Sequence, residues 1–579
     1  MFIKLFLPVA GSLAAYGLYQ IFNLLFQELF SPLRHLPGPK CTNFFYGNLK
    51  EIGESANAAL REQWVQEYGP TLRYRGLFGM TRLYTHDTKA LNHFLTHSNI
   101  YQKPEGTRYN LSRIVGPGVL VVEGDIHRQQ RKIMNPAFGA PQVRELTPIF
   151  VEKAMELRDI WASQAAKSSS GVRVDVLSWL NKATLDIIGL AGFNYEFNSL
   201  ASKTPTELAA AFSDIFESGS KIDTMRILQT RVPAFRFIRT KLDRVIEKSQ
   251  AVMGRIGLQL LQQSKNEMSQ SGTFEKGGRA RDLLSLLVRA NTSRDIPANQ
   301  RLSDKDVLAQ VPTFLVAGHE TTSVGTTWAL YALTQNVAAQ TRLRNELLAV
   351  PTDEPTMDEL NALPYLDCVV REALRVHAPV PSTVRVATRD DVVPLAQPFT
   401  DIHGTVHETI RVSKGQTIMI PILAMNRDKG IWGPDASEFR PERWESPVSN
   451  SLPGIWGHIL SFIGGPRACI VCLSLLPISP RCTRSLMNIL HCSGIPFLPH
   501  RVSSVVHVTC PSRSLLTTGP GTPGRKPSCS PSSAPSSSRL PFPPADVGTK
   551  TRVVQRPFIR SEPERGNQMP LLIKPYIRS

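Results

Sequence analysis

The chain is poor in cysteine where cysteine would staple a fold. Of eight cysteines in 579 residues, only Cys41, Cys368 and Cys469 precede residue 470. Two of these three are isolated, which excludes a secreted disulfide scaffold and favours a reducing, cytosol-facing setting. Internal repeats are absent. Acidic residues are scarce at the C-terminal end: from residue 470 onward 14 Lys or Arg face three acids, Asp546, Glu562 and Glu564. That stretch therefore carries +11 of the net +18, leaving +7 for everything before it. These cations are scattered through a Ser/Pro-rich tail and not gathered in a folded module with interleaved aromatics, so no nucleic-acid partner is expected. With 42% hydrophobic and 20% charged residues, the composition is that of a globular protein.

Charge is also missing from residues 5–27. A helix needs about 20 apolar residues to cross a bilayer core, so residues 1–30 read as a single transmembrane anchor. The run is long and no small-x-small cleavage site follows it, which argues against a signal peptide. Arg34, His35 and Lys40 come next and place the body on the cytosolic side, as on the endoplasmic reticulum, although Lys4 weakens the asymmetry. Residues 31–40 read as a Pro-rich hinge, in which Leu36, Pro37, Gly38 and Pro39 make a stiff, non-helical exit.

What is present points to a mainly α fold with small β-sheets. Residues 71–75 and 81–85 read as strands, and from about 124 to 336 the pattern is mainly helical, clearest over 142–162 and 241–264. Residues 264–281 are polar and Gly-rich and read as a surface loop. Ser303 and Asp306 make a capping box whose helix should run to about Gln335, with Pro312 predicting a kink or a late start. Residues 379–421 return to turns and short strands.

Four constellations carry chemistry. Ala317, Gly318, His319, Glu320, Thr321 and Thr322 lie in the middle of a long apolar helix. Gly318 costs about 1 kcal/mol there relative to Ala and lets something pack against the backbone. Glu320 and Thr321 need partners or a function, unless the helix simply has one wet face. Glu372 and Arg375 share a helix face; alone they read as a surface ion pair, but Arg443 could complete a buried network with them. Phe462, Gly464, Gly465, Pro466 and Arg467 precede Cys469 in a loop whose backbone N–H groups can point at its sulfur and stabilise a thiolate. Cys469 and Cys472 also form a Cys-x-x-Cys pair, but no second pair at zinc-like spacing accompanies it.

In this order the four constellations resemble the cytochrome P450 family, fungal membrane-bound type, from the anchor through Ile470. The match implies a P450 fold, with residues 41–470 and the C-terminal end 540–579 as the catalytic domain. The family's Phe-x-x-Gly-x-Arg-x-Cys signature falls on Phe462, Gly465, Arg467 and Cys469, its oxygen-activation motif on residues 317–322, and its Glu–Arg–Arg network on Glu372, Arg375 and Arg443. The resemblance implies haem b with Cys469 as the iron ligand, Ala317 and Gly318 beside the cofactor, and His127, Arg131, Arg385 and Arg467 as donors to the haem propionates. It assigns dioxygen handling to Thr321 and proton relay to Glu320, a pair that disfavours a haem-thiolate isomerase or dehydratase. It further implies an NADPH-cytochrome P450 reductase as electron donor, since no flavin or nicotinamide domain is evident. A lipophilic substrate would lie against largely apolar walls from residues 103–122, the helix around Ala317, and residues 380–383. Fungal relatives suggest a terpenoid-like compound of secondary metabolism, or alternatively a fatty acid or xenobiotic.

The resemblance breaks after Ile470. Val471 stands where the family places Gly, and Pro477 and Pro480 interrupt the helix expected there. Residues 471–539 resemble nothing in the family and read as a retained intron with an exon out of frame, or as a disordered insertion. Residues 526–538, KPSCSPSSAPSSS, can be back-translated so that a shifted frame reads KALLFTLVRAFEF, which is apolar and helical. On that reading the chain is a haem-poor product.

Overall fold

The structure is a computed structural model. It describes residues 29–470 apart from 56–58, 169–170, 203, 212–213, 215–223, 232, 271–281, 293–300, 449–451, 455 and 457, together with 505–509, 547–551, 554–576 and scattered earlier positions. Most of the expected anchor over residues 1–30, and nearly all of the segment 471–539 that the sequence reads as aberrant, thus lie outside the described residues. Among those that are described, no helix is long and apolar enough to cross a membrane. The hinge is pinned rather than free. Leu33 and Leu36 are buried, Arg73 N–H donates to Pro37 O at 2.9 Å, and a Cβ on Gly38 would stand 2.0 Å from Arg73 O.

Alternating residues build β1 (Thr71–Arg75) and β2 (Thr81–Thr85), paired antiparallel from Thr71↔Thr85 to Arg75↔Thr81. Their inward residues Leu72, Tyr74, Leu83 and Tyr84 are buried. They join β3 (Tyr101–Gln102), β5 (Thr383–Ala387) and β8 (Thr417–Ile420) in a sheet of order β1-β2-β8-β5-β3, with only β2 and β8 parallel. β4 (Val172–Asp175), β12 (Pro570–Tyr576) and β9 (Val505–Thr509) form a second sheet with β12 in the middle. Two hairpins, β6 (Asp391–Thr400) with β7 (Val406–Val412) and β10 (Val547–Thr551) with β11 (Gln555–Ile559), complete the strands.

Helices make up the rest of the body. Those that matter for the site are α1 (Glu105–Val115), α2 (Gly124–Met134), α3 (Ala140–Ala165), α4 (Val176–Phe193), α5 (Lys241–Gln270), α6 (Asp304–Leu308), α7 (Gln310–Gln335) and α8 (Pro364–Val376). The capping box predicted at Ser303 and Asp306 is present and opens α6. A new helix then begins at Gln310, so Pro312 falls in a first turn, where its missing N–H costs nothing. The surface loop expected from residue 264 starts later, because α5 continues to Gln270. Ser264 is buried with its hydroxyl 3.0 Å from that of Ser285, and Lys265 pairs with Asp304 at 2.6 Å, which stabilises two polar positions as helix.

α7 is the buried axis. Trp328, Leu330 and Leu333 enter one core with Leu180, Leu374 and Ile420, while Val311, Phe314 and Leu315 enter another with Ile133, Phe193 and Leu287. α4 lies against α7 closely enough that a Cβ on Gly318 would meet the Ile188 side chain at 2.9 Å. The glycine that is costly as a helix former is therefore the contact that lets the two helices approach.

Candidate active site

The loop before Cys469 owes its shape to two glycines. A Cβ on Gly464 would stand 2.0 Å from Pro453 O, and one on Gly465, at φ +70°, 2.2 Å from Leu95 O. No other residue fits that close passage of backbones. A short 3-10 turn, Gly465–Arg467, follows, and Cys469 N–H donates to Phe462 O at 3.0 Å, closing the loop. Phe462, Ile463 and Cys469 are partly buried against the main core, and Cys469 is not in a disulfide. Cys472, the other half of the Cys-x-x-Cys pair, lies outside the described residues.

Around this loop the structure gathers cations. His127 and Arg131, one turn apart on α2, Arg385 on β5 and Arg467 all come together, with the Arg131 guanidinium close enough to Cys469 to feel a thiolate there. Lys103 and Arg108 join them, two residues that reading the sequence for function missed. The crowding is legible in their protonation. Burial, then Arg467, Arg385 and Arg108, hold the Lys103 ammonium well below its usual pKa, and burial followed by Lys103 and Arg131 brings His127 down to about 4. Burial takes both Arg385 and Arg467 down to about 10, Arg108 adding to the effect at Arg467. Glu123, also missed, is the carboxylate within the group: it pairs with Arg467, accepts from Lys103 N–H at 3.1 Å, and lies 3.8 Å from Lys103 Nζ. Among the described residues, Nε and Nη2 of Arg131 and Nε of Arg108 are buried without a hydrogen-bond partner. One carboxylate among this many buried cations leaves donors for further anions. A flat cofactor bearing two carboxylates and a metal that takes a thiolate fits this donor set.

Residues 103–122 are less apolar than expected of a substrate wall. Most of them form α1, where Glu105 pairs with Arg236 and Arg113 with Asp243, while Ile114, Val119 and, on α7, Val316 pack against one buried cluster. Val380 packs against the main core.

On α7, Ala317 is exposed and Thr321 half-buried, one turn apart in a helix otherwise largely enclosed, so this stretch borders open space. The Thr321 hydroxyl donates to Ala317 O at 2.6 Å. Glu320 is buried and points elsewhere: its Oε1 receives Arg556 Nε at 2.6 Å and Nη2 at 2.5 Å, across 236 residues. Burial raises the Glu320 pKa and Arg556 opposes the rise. No local pattern in the sequence announces that pairing.

The Glu372–Arg375 pair is at 0% exposure on both side chains, so its solitary reading as a surface pair is wrong and its reading as a network is right. Arg375 holds Glu372 with Nε and Nη2, each at 2.8 Å, and reaches the carbonyls of Asn426, Ala436 and Glu438. Arg443 Nε stands 3.5 Å from Glu372 Oε1, Arg440 N–H donates to Oε1 and Trp444 Nε1 to Oε2. The network ties α8 to the segment that leads into the Cys469 loop.

Comparison with known proteins gives one family. The family model described as Cytochrome P450 matches residues 36–470. Cytochrome P450 monooxygenase 205 of Postia placenta (strain ATCC 44394 / Madison 698-R) is 47% identical over 570 residues, covering 97% of this chain and 96% of the relative. Cytochrome P450 monooxygenase 128 of the same fungus is 44% identical, covering 98% and 97%. Cytochrome P450 monooxygenase claQ of Ampulloclitocybe clavipes is 35% identical over 449 residues, 76% of this chain and 82% of the relative.

Proposed function

The chain belongs to the cytochrome P450 family, a monooxygenase with haem as cofactor, and from that premise we propose that Cys469 is its iron ligand and that it hydroxylates a lipophilic small molecule. The observation that carries the assignment is the closed Cys469 loop beside buried cations, of which Arg131 and Arg108 keep buried nitrogens without a hydrogen-bond partner among the described residues. Cys469 would hold the metal. His127, Arg131, Arg385 and Arg467, with Lys103 and Arg108, would hold the propionates, and Phe462, Ala317 and Gly318 would flank the ring. When bound, the haem would supply the oxidising chemistry, in which dioxygen, two electrons and two protons place one oxygen atom on a C–H bond and the other in water.

The chain's own residues arrange that chemistry. A thiolate at Cys469 donates electron density, and the Phe462–Cys469 backbone contact fixes its loop. Because the Thr321 hydroxyl proton is committed to Ala317 O, its oxygen is left to accept a hydrogen bond. Glu320, one residue earlier and held by Arg556, would be the carboxylate that relays a proton, the role its position in the family motif implies.

Electrons would come from an NADPH-dependent flavoprotein reductase. Residues 1–30 would anchor the body to the endoplasmic reticulum membrane with its catalytic part in the cytosol. The fungal relatives favour secondary, terpenoid-like metabolism, with a fatty acid or xenobiotic as the other substrate class. The spectrum of the purified, reduced chain with carbon monoxide tests the ligand: a red-shifted band is expected, and Cys469→Ser should abolish it. A second reading has its own observation. The family-model match stops at residue 470, immediately after the ligand, and Val471 then stands where the family places Gly, with Pro477 and Pro480 in the stretch where a helix is expected. If the unsubstituted chain shows no such band, the haem-poor reading stands.

A further inference from the structure

The family match ends at residue 470, yet the C-terminal hairpin reaches α7 at the site. Trp328 Nε1 donates to Gln555 O at 2.9 Å, Gln555 N–H donates to Pro379 O at 2.8 Å, and the next residue, Arg556, grips Glu320. Both guanidinium contacts fall on one carboxylate oxygen, Oε1. Among the described residues no donor is bonded to Oε2. The other titratable group drawn to this place is His319 of α7, whose imidazole burial and Arg556 bring down to about 4, so it is neutral.

From this geometry we propose that Arg556 is a positioning residue for proton delivery: it keeps Glu320 an ionised, oriented carboxylate and leaves Oε2 as the atom that takes up and passes the proton. The proposal rests on Glu320 serving as the relay. A buried carboxyl without its cation turns neutral, because desolvation penalises the charged form. Its proton then stays on the acid, and its orientation is no longer held by two donors.

Infrared spectroscopy of the full-length purified protein reads this without any substrate. At neutral pH the wild type should lack a carbonyl stretch from a protonated acid at this site. Arg556→Gln should gain one, and Glu320→Gln/Arg556→Gln should lose it again. Arg556→Lys keeps a charge but not the paired contact, so the carboxyl should titrate at higher pH than in the wild type. It is also the variant to read should Arg556→Gln not fold. An unchanged carboxyl titration in Arg556→Lys, or no new stretch in a folded Arg556→Gln, overturns the proposal.

With the reductase and lauric acid as a lipophilic probe, Arg556→Gln should divert electrons from product to hydrogen peroxide by about tenfold. The double variant should be no worse than Glu320→Gln. Additive losses would mean that Arg556 acts apart from Glu320, which also overturns the proposal. If Arg556→Gln gains the infrared stretch but neither it nor Glu320→Gln alters coupling, the failure belongs to the relay role of Glu320, while Arg556 still holds its charge.

Discussion

Thr321 donates its one proton to Ala317 O at 2.6 Å, so toward the open face of α7 it is an acceptor. Thr321→Ala removes that acceptor while leaving the helix hydrogen bonds in place, and Ala is the better helix former. The expected outcome is a stable protein that consumes NADPH and oxygen but yields more hydrogen peroxide and less product. Measuring peroxide released per NADPH oxidised checks this, and unchanged coupling would count against the hydroxyl. Residues of this kind were legible in the sequence, because a hydroxyl and a carboxylate side by side in a buried helix need an explanation. Glu123, Lys103 and Arg108 were not. Each is an ordinary surface-type residue by sequence, and each becomes informative only when α1, α2 and the Cys469 loop meet.

At the scale of elements, α8 is held by charge rather than by apolar packing alone. Arg375 lies at 0% exposure with every nitrogen engaged, and its removal would leave Glu372 as a buried carboxylate short of its main partner. Breaking such a pair costs about 3–5 kcal/mol. Arg375→Ala is therefore expected to fall well below the wild type in thermal melting and in folded yield, even though Arg375 is remote from Thr321 in sequence and role. Thermal unfolding followed by circular dichroism measures it, and a melting temperature within experimental error of wild type would dismiss the network as a support. Helices and strands with a clear period were readable in advance, and of the kink or late start expected from Pro312 the late start is found, at Gln310. The extension of α5 to Gln270 was not, because the Ser264–Ser285 and Lys265–Asp304 contacts that support it are tertiary.

For the whole molecule the unusual feature is the order in which the chain visits its core. β12 pairs with β4 from Pro570↔Asp175 to Ile573↔Val172, so the last strand completes a sheet begun some four hundred residues earlier. Residues 554–573 therefore pack as part of the body, while the family match has already stopped at residue 470. A retained intron followed by a restored frame would produce this pattern. We expect sequencing of the spliced transcript to lack the codons for most of residues 471–539, and a mature message that keeps them would end that account. A chain expressed from the corrected message should then bind haem in higher stoichiometry than the chain as written, read by haem absorbance per mole of protein.

The grip of Arg556 on Glu320 has a consequence in time. The two residues are 236 positions apart, and a ribosome adding about 5–20 residues per second needs roughly 10 to 50 seconds to cover that distance. For that interval α7 has its acid and lacks the cation that answers it, as β4 lacks β12 until later still. The nascent chain cannot seal its centre before residues 554–573 emerge. This makes synthesis self-checking: a message that ends early, or loses its frame for good, yields a protein whose heart never closes.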